Sequence, residues 1–393
     1  MIDGEHYPPV VRDALAELPF DFVAAVLAGG TEKIRGGEDY GLPLLAGLDE
    51  AIAAHRPEVV VDLSDEPVLG PKQRFALASR ALAAGVPYVG ADFRFDPPAF
   101  EPFALPSVAV IGTGKRVGKT AVTGHLAQLL ASDRDVVVVA MGRGGPAEPE
   151  VIEAAPTLEG LLALSRAGRH AASDHLETAA LAGVPTVGCR RCGGGLAGAT
   201  FTSTVIEGAG LAAALEPDLV VFDGSGAAIP PVAVGARVLV AHDLESGLNP
   251  YRALVSDLVL TMSSEVAATA EALGRRAFRF ELRLEPVEPL DGRRAAVFTA
   301  GPARLDHLEN VVHASQSLAD RARLAGELDG LDADVYVVEL KAAAIDVVAE
   351  HADARGVEVV LAANEVVAPG LDEALFELAE VASGAAAREN VAG

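Results

Sequence analysis

Tryptophan is absent from this chain, cysteine occurs twice, and aromatic residues make up only 5% of its 393 positions. Half of the residues are hydrophobic, so the interior must be built from Ala, Val, Leu and Gly, which suits close packing of helices on sheets. Two cysteines cannot staple a small secreted scaffold and fit a reducing compartment. No apolar run approaches the roughly 18 residues of a membrane-spanning helix. No signal peptide precedes the first acidic residues, so a cytoplasmic location is expected. Positive charge is also scarce: 31 Lys and Arg stand against 56 Asp and Glu, a formal net charge of -25. That balance argues against nucleic acid or an anionic membrane as a partner. It also gives weight to any cluster of Arg and Lys, because an acidic protein that holds an anion needs a local basic pocket.

What is present is an alternation of strand-like and helix-like segments, which predicts an α/β fold with mostly parallel sheets. The length suggests two or three domains. Residues 1–103 read as an N-terminal, Rossmann-like α/β unit, with strands expected at 22–27, 59–63 and 88–89 and helices at 44–54 and 72–84. A break rich in proline (Pro97, Pro98, Pro102, Pro106) leads into a central unit, 104–288. Its strands are expected near 108–111, 136–140, 186–187, 219–222, 238–240, 258–260 and 278–280. The segment Glu285-Pro-Val-Glu-Pro289 marks the next boundary. Residues 289–393 read as a C-terminal α/β unit with strands near 295–298, 335–339 and 357–361 and a closing helix from Leu371. The string Gly-Val-Pro-x-Val-Gly occurs at 85–90 and again at 183–188. Gly ending a helix and Pro entering a strand explain both, as one connector used twice.

The densest chemical signal is Gly112-Thr113-Gly114-Lys115-Arg116-Val117-Gly118-Lys119-Thr120, between an apolar strand pattern and a helical one. Glycines in a turn leave backbone N–H groups free to surround phosphate oxygens. Lys119 adds a charge for the β/γ-phosphates, and the Thr120 hydroxyl suits a Mg²⁺ position. The following helix aims its positive end at the same anion. The usual P-loop pattern has Gly where Thr113 stands. The rival dinucleotide turn, G-x-G-x-x-G, needs Gly at 117, which is Val117, and leaves Lys119 and Thr120 without a role. The motif therefore reads as a nucleoside-triphosphate site.

Further candidates sit at other strand ends, where open α/β sheets face their ligands. Arg143 and Gly144, in the turn 141–146, suit a phosphate approached closely by backbone; a plain glycine-rich turn is the bland alternative. Asp223, in Asp223-Gly-Ser-Gly226, stands where such enzymes hold Mg²⁺ or orient an attacking group, although a buried strand ending in an Asp-Gly turn reads the same way. Arg190 and Arg191, beside Gly194, make an anion cradle. Cys189 and Cys192 flank that pair and leave zinc, redox or a plain turn open, with no further Cys to complete a metal site. The segment 173–177 reads as a helix N-cap with an acidic first turn, and an exposed His175, with Arg169 and His170 before it, suits contact with a phosphorylated substrate. Asp62, Asp65, Glu66 and Lys341 read mainly as solvated surface, and Thr261-Met-Ser-Ser264 as an edge able to contact a base.

The loop 112–120, with Thr113 in place of Gly, resembles the P-loop of dethiobiotin synthetase and its wider group, and Asp223–Gly226 resembles that enzyme's Glu-Gly-Ala-Gly segment. Dethiobiotin synthetase has no equivalent of the outer 100 residues at either end. Taken together, 112–120, 141–150, 173–177 and 188–195 resemble the cyclic 2,3-diphosphoglycerate synthetase family over nearly the whole length. The resemblance implies an enzyme using ATP and Mg²⁺ to close an intramolecular phosphoanhydride in 2,3-diphosphoglycerate, with release of ADP and phosphate. It implies Lys119, Lys115, Arg143 and Asp223 as catalytic groups and Thr120 and Asp223 at the metal. Arg143, Gly144, Arg190, Arg191, Gly194 and His175 would hold substrate. Dimerisation is expected by analogy with this P-loop group. Two other readings are another ATP-dependent ligase or small-molecule kinase of the same group, and a nucleotide-switch ATPase or GTPase of metallochaperone or partition type.

Overall fold

The structure is a computed structural model and describes residues 1–157, 159–160, 163, 174–301, 303–339 and 345–392. Arg169, His170, Ser173 and Lys341 lie outside the described residues. In the N-terminal unit β1 (Ala25–Val26) pairs in parallel with β2 (Leu44–Leu45), and β3 (Val60–Val61) with β4 (Tyr88–Val89), which pairs antiparallel with β5 (Arg94–Phe95). Residues 1–3 run between the two ladders: Ile2 N–H donates to the Val26 carbonyl at 3.0 Å and the Met1 ammonium to the Val61 carbonyl at 2.7 Å. The helix expected over 44–54 is shorter. Leu44–Leu45 is strand, Gly47 is extended, and the helix spans Leu48–His55.

The central sheet has nine strands: β6 (Ser107–Gly112), β7 (Val136–Gly142), β8 (Glu150–Ile152), β9 (Thr186–Cys192), β10 (Thr202–Ser203), β11 (Leu219–Asp223), β12 (Ala236–Ala241), β13 (Leu258–Thr261) and β14 (Arg276–Arg279). Their order is β10-β9-β7-β11-β6-β12-β13-β14, with β8 also on β9, and every pair from β9 to β14 is parallel. Runs such as Val136-Val-Val-Val139, buried throughout, are what a parallel strand covered on both faces requires. The period-2 pleat divides them. Ala109, Ile111, Val137, Val139, Val220 and Phe222 face one core, and Val108, Val110, Val136, Val138, Leu219 and Val221 face the other. The first core takes Ala78, Ala81 and Leu82 from the N-terminal unit's helix Pro71–Ala83. The second takes Val122, Leu126 and Leu130 from Lys119–Leu130.

A five-stranded sheet follows: β15 (Glu281–Pro286), β16 (Ala295–Phe298), β17 (Val311–Ser315), β18 (Val335–Glu339) and β19 (Glu358–Val367), in the order β15-β19-β18-β16-β17. Two features cross the boundary drawn at 288. Strand β15, which ends in the first of those prolines, hydrogen-bonds to β19 of this last sheet. The final helix, Leu371–Ala392, returns to the central sheet, with Leu371, Leu375, Leu378 and Ala382 in its second core. Prolines mark where a strand ends, whereas sheet membership is decided by a partner some 80 residues away.

Candidate active site

The sheet order places β9, β7, β11, β6 and β12 side by side, and each parallel strand delivers a candidate group at or just past its C-terminal end. Arg190 and Arg191 come from β9, Arg143 from the turn after β7, Asp223 from β11, the loop 112–118 from β6 and His242 from the turn after β12.

Lys119 opens its helix and is buried beside Asp223, with its ammonium 2.5 Å from the carboxylate Oδ1. Thr123, one helical turn on, donates to the same oxygen at 2.8 Å. An ammonium on the neighbouring carboxylate is the ion pair that a phosphate would compete for, since either anion satisfies the same buried cation. Asp223 is fully buried, so a cation or a proton must accompany it whenever Lys119 turns away.

Thr113 has a role that a Gly in its place would lack. Its hydroxyl accepts the His242 backbone N–H at 3.1 Å and shares a 2.8 Å hydrogen bond with His242 Nδ1. Its own N–H donates to the Val240 carbonyl at 3.2 Å. The start of the loop is thereby tied to the end of β12. Lys115 and Arg116 are exposed, with Arg116 held at φ 59°, and both side chains are available to an anion.

The two arginines of β9 diverge, as successive residues of a strand must. Arg190 is exposed. Arg191 spans two loops, donating through NH1 to the Gly193 carbonyl at 2.7 Å and through NH2 to the Ser225 carbonyl at 2.9 Å. It therefore braces the turn after Asp223 as well as carrying charge. Arg143 and Gly144 are exposed. Their turn lies so close to β9 that a Cβ on Gly145 would sit 2.1 Å from the Cys189 carbonyl oxygen.

His175 departs from the expectation of an exposed side chain. It is 5% exposed, on the first turn of the helix Asp174–Ala182, packed over Gly188 of β9. A Cβ at Gly188 would meet its ring at 2.6 Å, so the absent side chain is what lets the imidazole in. Cys189 and Cys192 also separate: burial pushes the Cys189 thiol up to about 12, while Cys192 is exposed. Among the described residues no cluster able to hold a metal through His, Cys, Asp and Glu is present. Asp62, expected at the surface, is buried and bonded to Arg74 Nε and the Tyr88 hydroxyl, each at 2.8 Å.

Sequence reasoning missed three contributors. Thr123 and His242 were detectable, one lying four residues after Lys119 and the other just past a strand. Arg252 carried no signal. It is 2% exposed and holds the Ala227 carbonyl with two donors, Nε at 3.0 Å and NH2 at 2.7 Å, and burial lowers it to about 10.

A parallel strand, a glycine-bearing loop and a helix, with a buried Lys on the loop and an acidic residue closing the adjacent strand, define a P-loop nucleotide-binding protein of the α/β class. The chain belongs to the cyclic 2,3-diphosphoglycerate synthetase family. Family models of its N-terminal domain, its P-loop domain and its C-terminal domain match residues 1–96, 107–277 and 286–365. A cyclic 2,3-diphosphoglycerate synthetase of Rubrobacter xylanophilus is 51% identical over 430 residues, covering 97% of each chain. One of Thermococcus kodakarensis is 41% identical over 408 residues, covering 93% of this chain and 94% of the relative. Among solved structures, LpxK from Aquifex aeolicus in complex with ATP aligns at a TM-score of 0.45 and 16% identity, over 71% of this chain and 90% of its own.

Proposed function

We infer that this protein is an ATP-dependent ligase that joins the two phosphates of 2,3-diphosphoglycerate into a cyclic phosphoanhydride, releasing ADP and inorganic phosphate. The observation that carries this reading is the joint match of all three family models to one chain whose phosphate loop sets Lys119 against the buried Asp223 at the end of β11. Supporting it is the concentration of cations at one sheet edge of a protein with a net charge of -25. Two phosphomonoesters and a carboxylate bring about −4 to −5, and ATP adds more. Lys115, Arg116, Lys119, Arg143, Arg190 and Arg191 are the groups available to offset it.

Chemically the reaction divides into two displacements. An oxygen of one substrate phosphate attacks the γ-phosphorus of ATP; the bond to the β-phosphate oxygen breaks, and ADP departs. The backbone of 112–118, Lys115 and Lys119 hold the phosphates in line and offset the charge that develops. An oxygen of the second substrate phosphate, held by Arg190 and Arg143, then attacks the activated phosphorus and expels inorganic phosphate, closing the P–O–P ring. Arg191 keeps the 223–226 turn in place, and Gly144 and Gly194 let backbone approach the substrate. His175, buried, acts by shaping the wall beneath β9. A helix-start hydroxyl and a buried carboxylate form an oxygen donor set that fits Mg²⁺. Thr120 would ligate the ion and Asp223 would hold its water shell, and Mg²⁺ would supply neutralisation of the phosphate charge when bound.

The units 1–103 and 289–393 are proposed to wall the substrate crevice. A cytoplasmic homodimer is the assembly proposed, by analogy with this P-loop group; the acidic charge supports a site without nucleic-acid partners, and among the described residues no helix is long and apolar enough to cross a membrane. ³¹P NMR of the protein with ATP, Mg²⁺ and 2,3-diphosphoglycerate tests the function. New coupled resonances of a cyclic diphosphate are expected alongside ADP and phosphate. ATP consumption without them would leave only a phosphatase or a different ligase.

A further inference from the structure

The N-terminal unit encloses a cavity of about 510 Å³, lined on one side by 19–26, on the other by 55–61, and covered by Leu15, Leu48 and Ile52. Its position is set by the ladder hydrogen bonds. Ile2 donates to the Val26 carbonyl and accepts from Ala28 N–H at 2.8 Å, while the Met1 carbonyl accepts from Leu63 N–H at 2.9 Å. Residues 1–2 are therefore a short parallel strand between β1 and β3, and the cavity is the continuation of that strand's path, upstream of Met1. Alternation along a strand points the N–H and C=O of every second residue to the same side. Because the Val26 and Val61 carbonyls face residues 1–2, the backbone groups of Ala24, Val26, Val59 and Val61 that share their side line the cavity wall. Phe22, Val23, Val59 and Ile52 give it apolar side-chain contacts, and Asp21, His55, Arg56 and Glu58 stand at its solvent-facing rim. The wall runs for four to five residues at about 3.3 Å each.

We propose that this cavity is a strand-acceptor slot, built to hold an extended apolar segment of about five residues that runs parallel to β1 and β3 and is joined through a peptide bond to the Met1 nitrogen. Three observations choose that occupant. The slot is bordered by two parallel strands with backbone groups on both walls, which a small apolar ligand would leave unbonded. Its inner end is the Met1 nitrogen, 2.7 Å from the Val61 carbonyl, where the amide N–H of a continuing chain would donate the same bond. Burial lowers the ammonium there to about 6, a cost that an amide does not carry. The inserted strand would complete a six-stranded sheet in the order β2, β1, the new strand with residues 1–2, β3, β4, β5. It is independent of the reaction assigned above.

The experiment compares the full chain with two N-terminally extended forms, one carrying Val-Ile-Val-Val-Val before Met1 and one carrying Gly-Ser-Gly-Ser-Gly. The apolar extension is expected to raise Tm by about 5 °C or more and to slow amide hydrogen exchange at Val26 and Val61. The polar extension should do neither. Equal Tm values for the two extensions, or unchanged exchange at both valines, would overturn the proposal. If the free pentapeptide, added at millimolar concentration to the unextended chain, produced the whole Tm shift, the covalent continuation would be overturned and a docking site for a separate strand would replace it.

Discussion

Lys119 and Asp223 do opposite jobs in stability and in catalysis, and substitution separates them. Lys119→Ala removes the cation that accompanies a fully buried carboxylate. It is expected to cost about 3–5 kcal/mol of stability and to lower kcat by about 10²–10³, read by urea unfolding and by ADP release. The double variant Lys119→Met/Asp223→Asn should regain most of the stability and none of the turnover; recovered turnover would show that Lys119 does not act on phosphate. Thr113 gives a gentler test. Thr113→Gly restores the commoner P-loop pattern but breaks the link to His242. The KM for ATP should rise severalfold, the loss of roughly 1 kcal/mol expected for such hydrogen bonds, with kcat almost unchanged. The sequence already marked Lys119, Thr120 and Asp223, because strand-loop-helix spacing is local. It could not show that Arg191 is engaged with the Ser225 carbonyl, or that Arg252 holds Ala227, since those partners come from distant loops.

Elements at the two ends of the chain carry loads that their positions hide. The helix Leu371–Ala392 covers one face of the phosphate-binding sheet. Leu375→Ala, at a fully buried position, is expected to destabilise the protein by about 2–5 kcal/mol in chemical denaturation, and a change under 1 kcal/mol would mean that the helix is dispensable to the sheet. At the other end, burial lowers the Met1 ammonium from 8.0 to about 6. Between those values the unfolded chain keeps a proton that the folded chain releases, so stability rises with pH through this window. The contribution is fully present above pH 8 and is lost as pH falls through 6. Two units correspond to about 2.7 kcal/mol. Unfolding measured from pH 5.5 to 8.5 should show this rise, and protein acetylated at Met1 should lose that portion of it. The closing helix was legible as an element from its start at Leu371, whereas no strand was expected at residues 1–2. The helix's partner was not legible, because an apolar helical face names no particular sheet.

Across the whole molecule, the middle of the chain is woven to the last sheet by β15 and by the closing helix, whereas the N-terminal unit attaches through the helix Pro71–Ala83, the exposed Lys72–Glu245 pair at 2.8 Å and its last residues, where Glu101 bridges Val232 and Phe103 packs edge-on against Phe222. Calorimetry is therefore expected to show residues 107–392 melting as one unit, with any separate, earlier transition belonging to the N-terminal unit. ATP should shift the main transition upward by mass action, and two transitions within 107–392 would contradict the interlock. By itself the sequence determined what depends on neighbours along the chain: the α/β alternation, the Val-rich strands of the central sheet, the P-loop and the acidic strand end beside it. Period, capping and turn chemistry act over a few residues and can be read there. Only the tertiary structure decided which strands stand side by side, that five consecutive strand ends share one edge, that His175 is buried over Gly188, and that the first residues lie at the end of a strand-sized slot. These depend on contacts between residues far apart in the chain, whose free energy is set by packing and hydrogen-bond partners that no local pattern specifies.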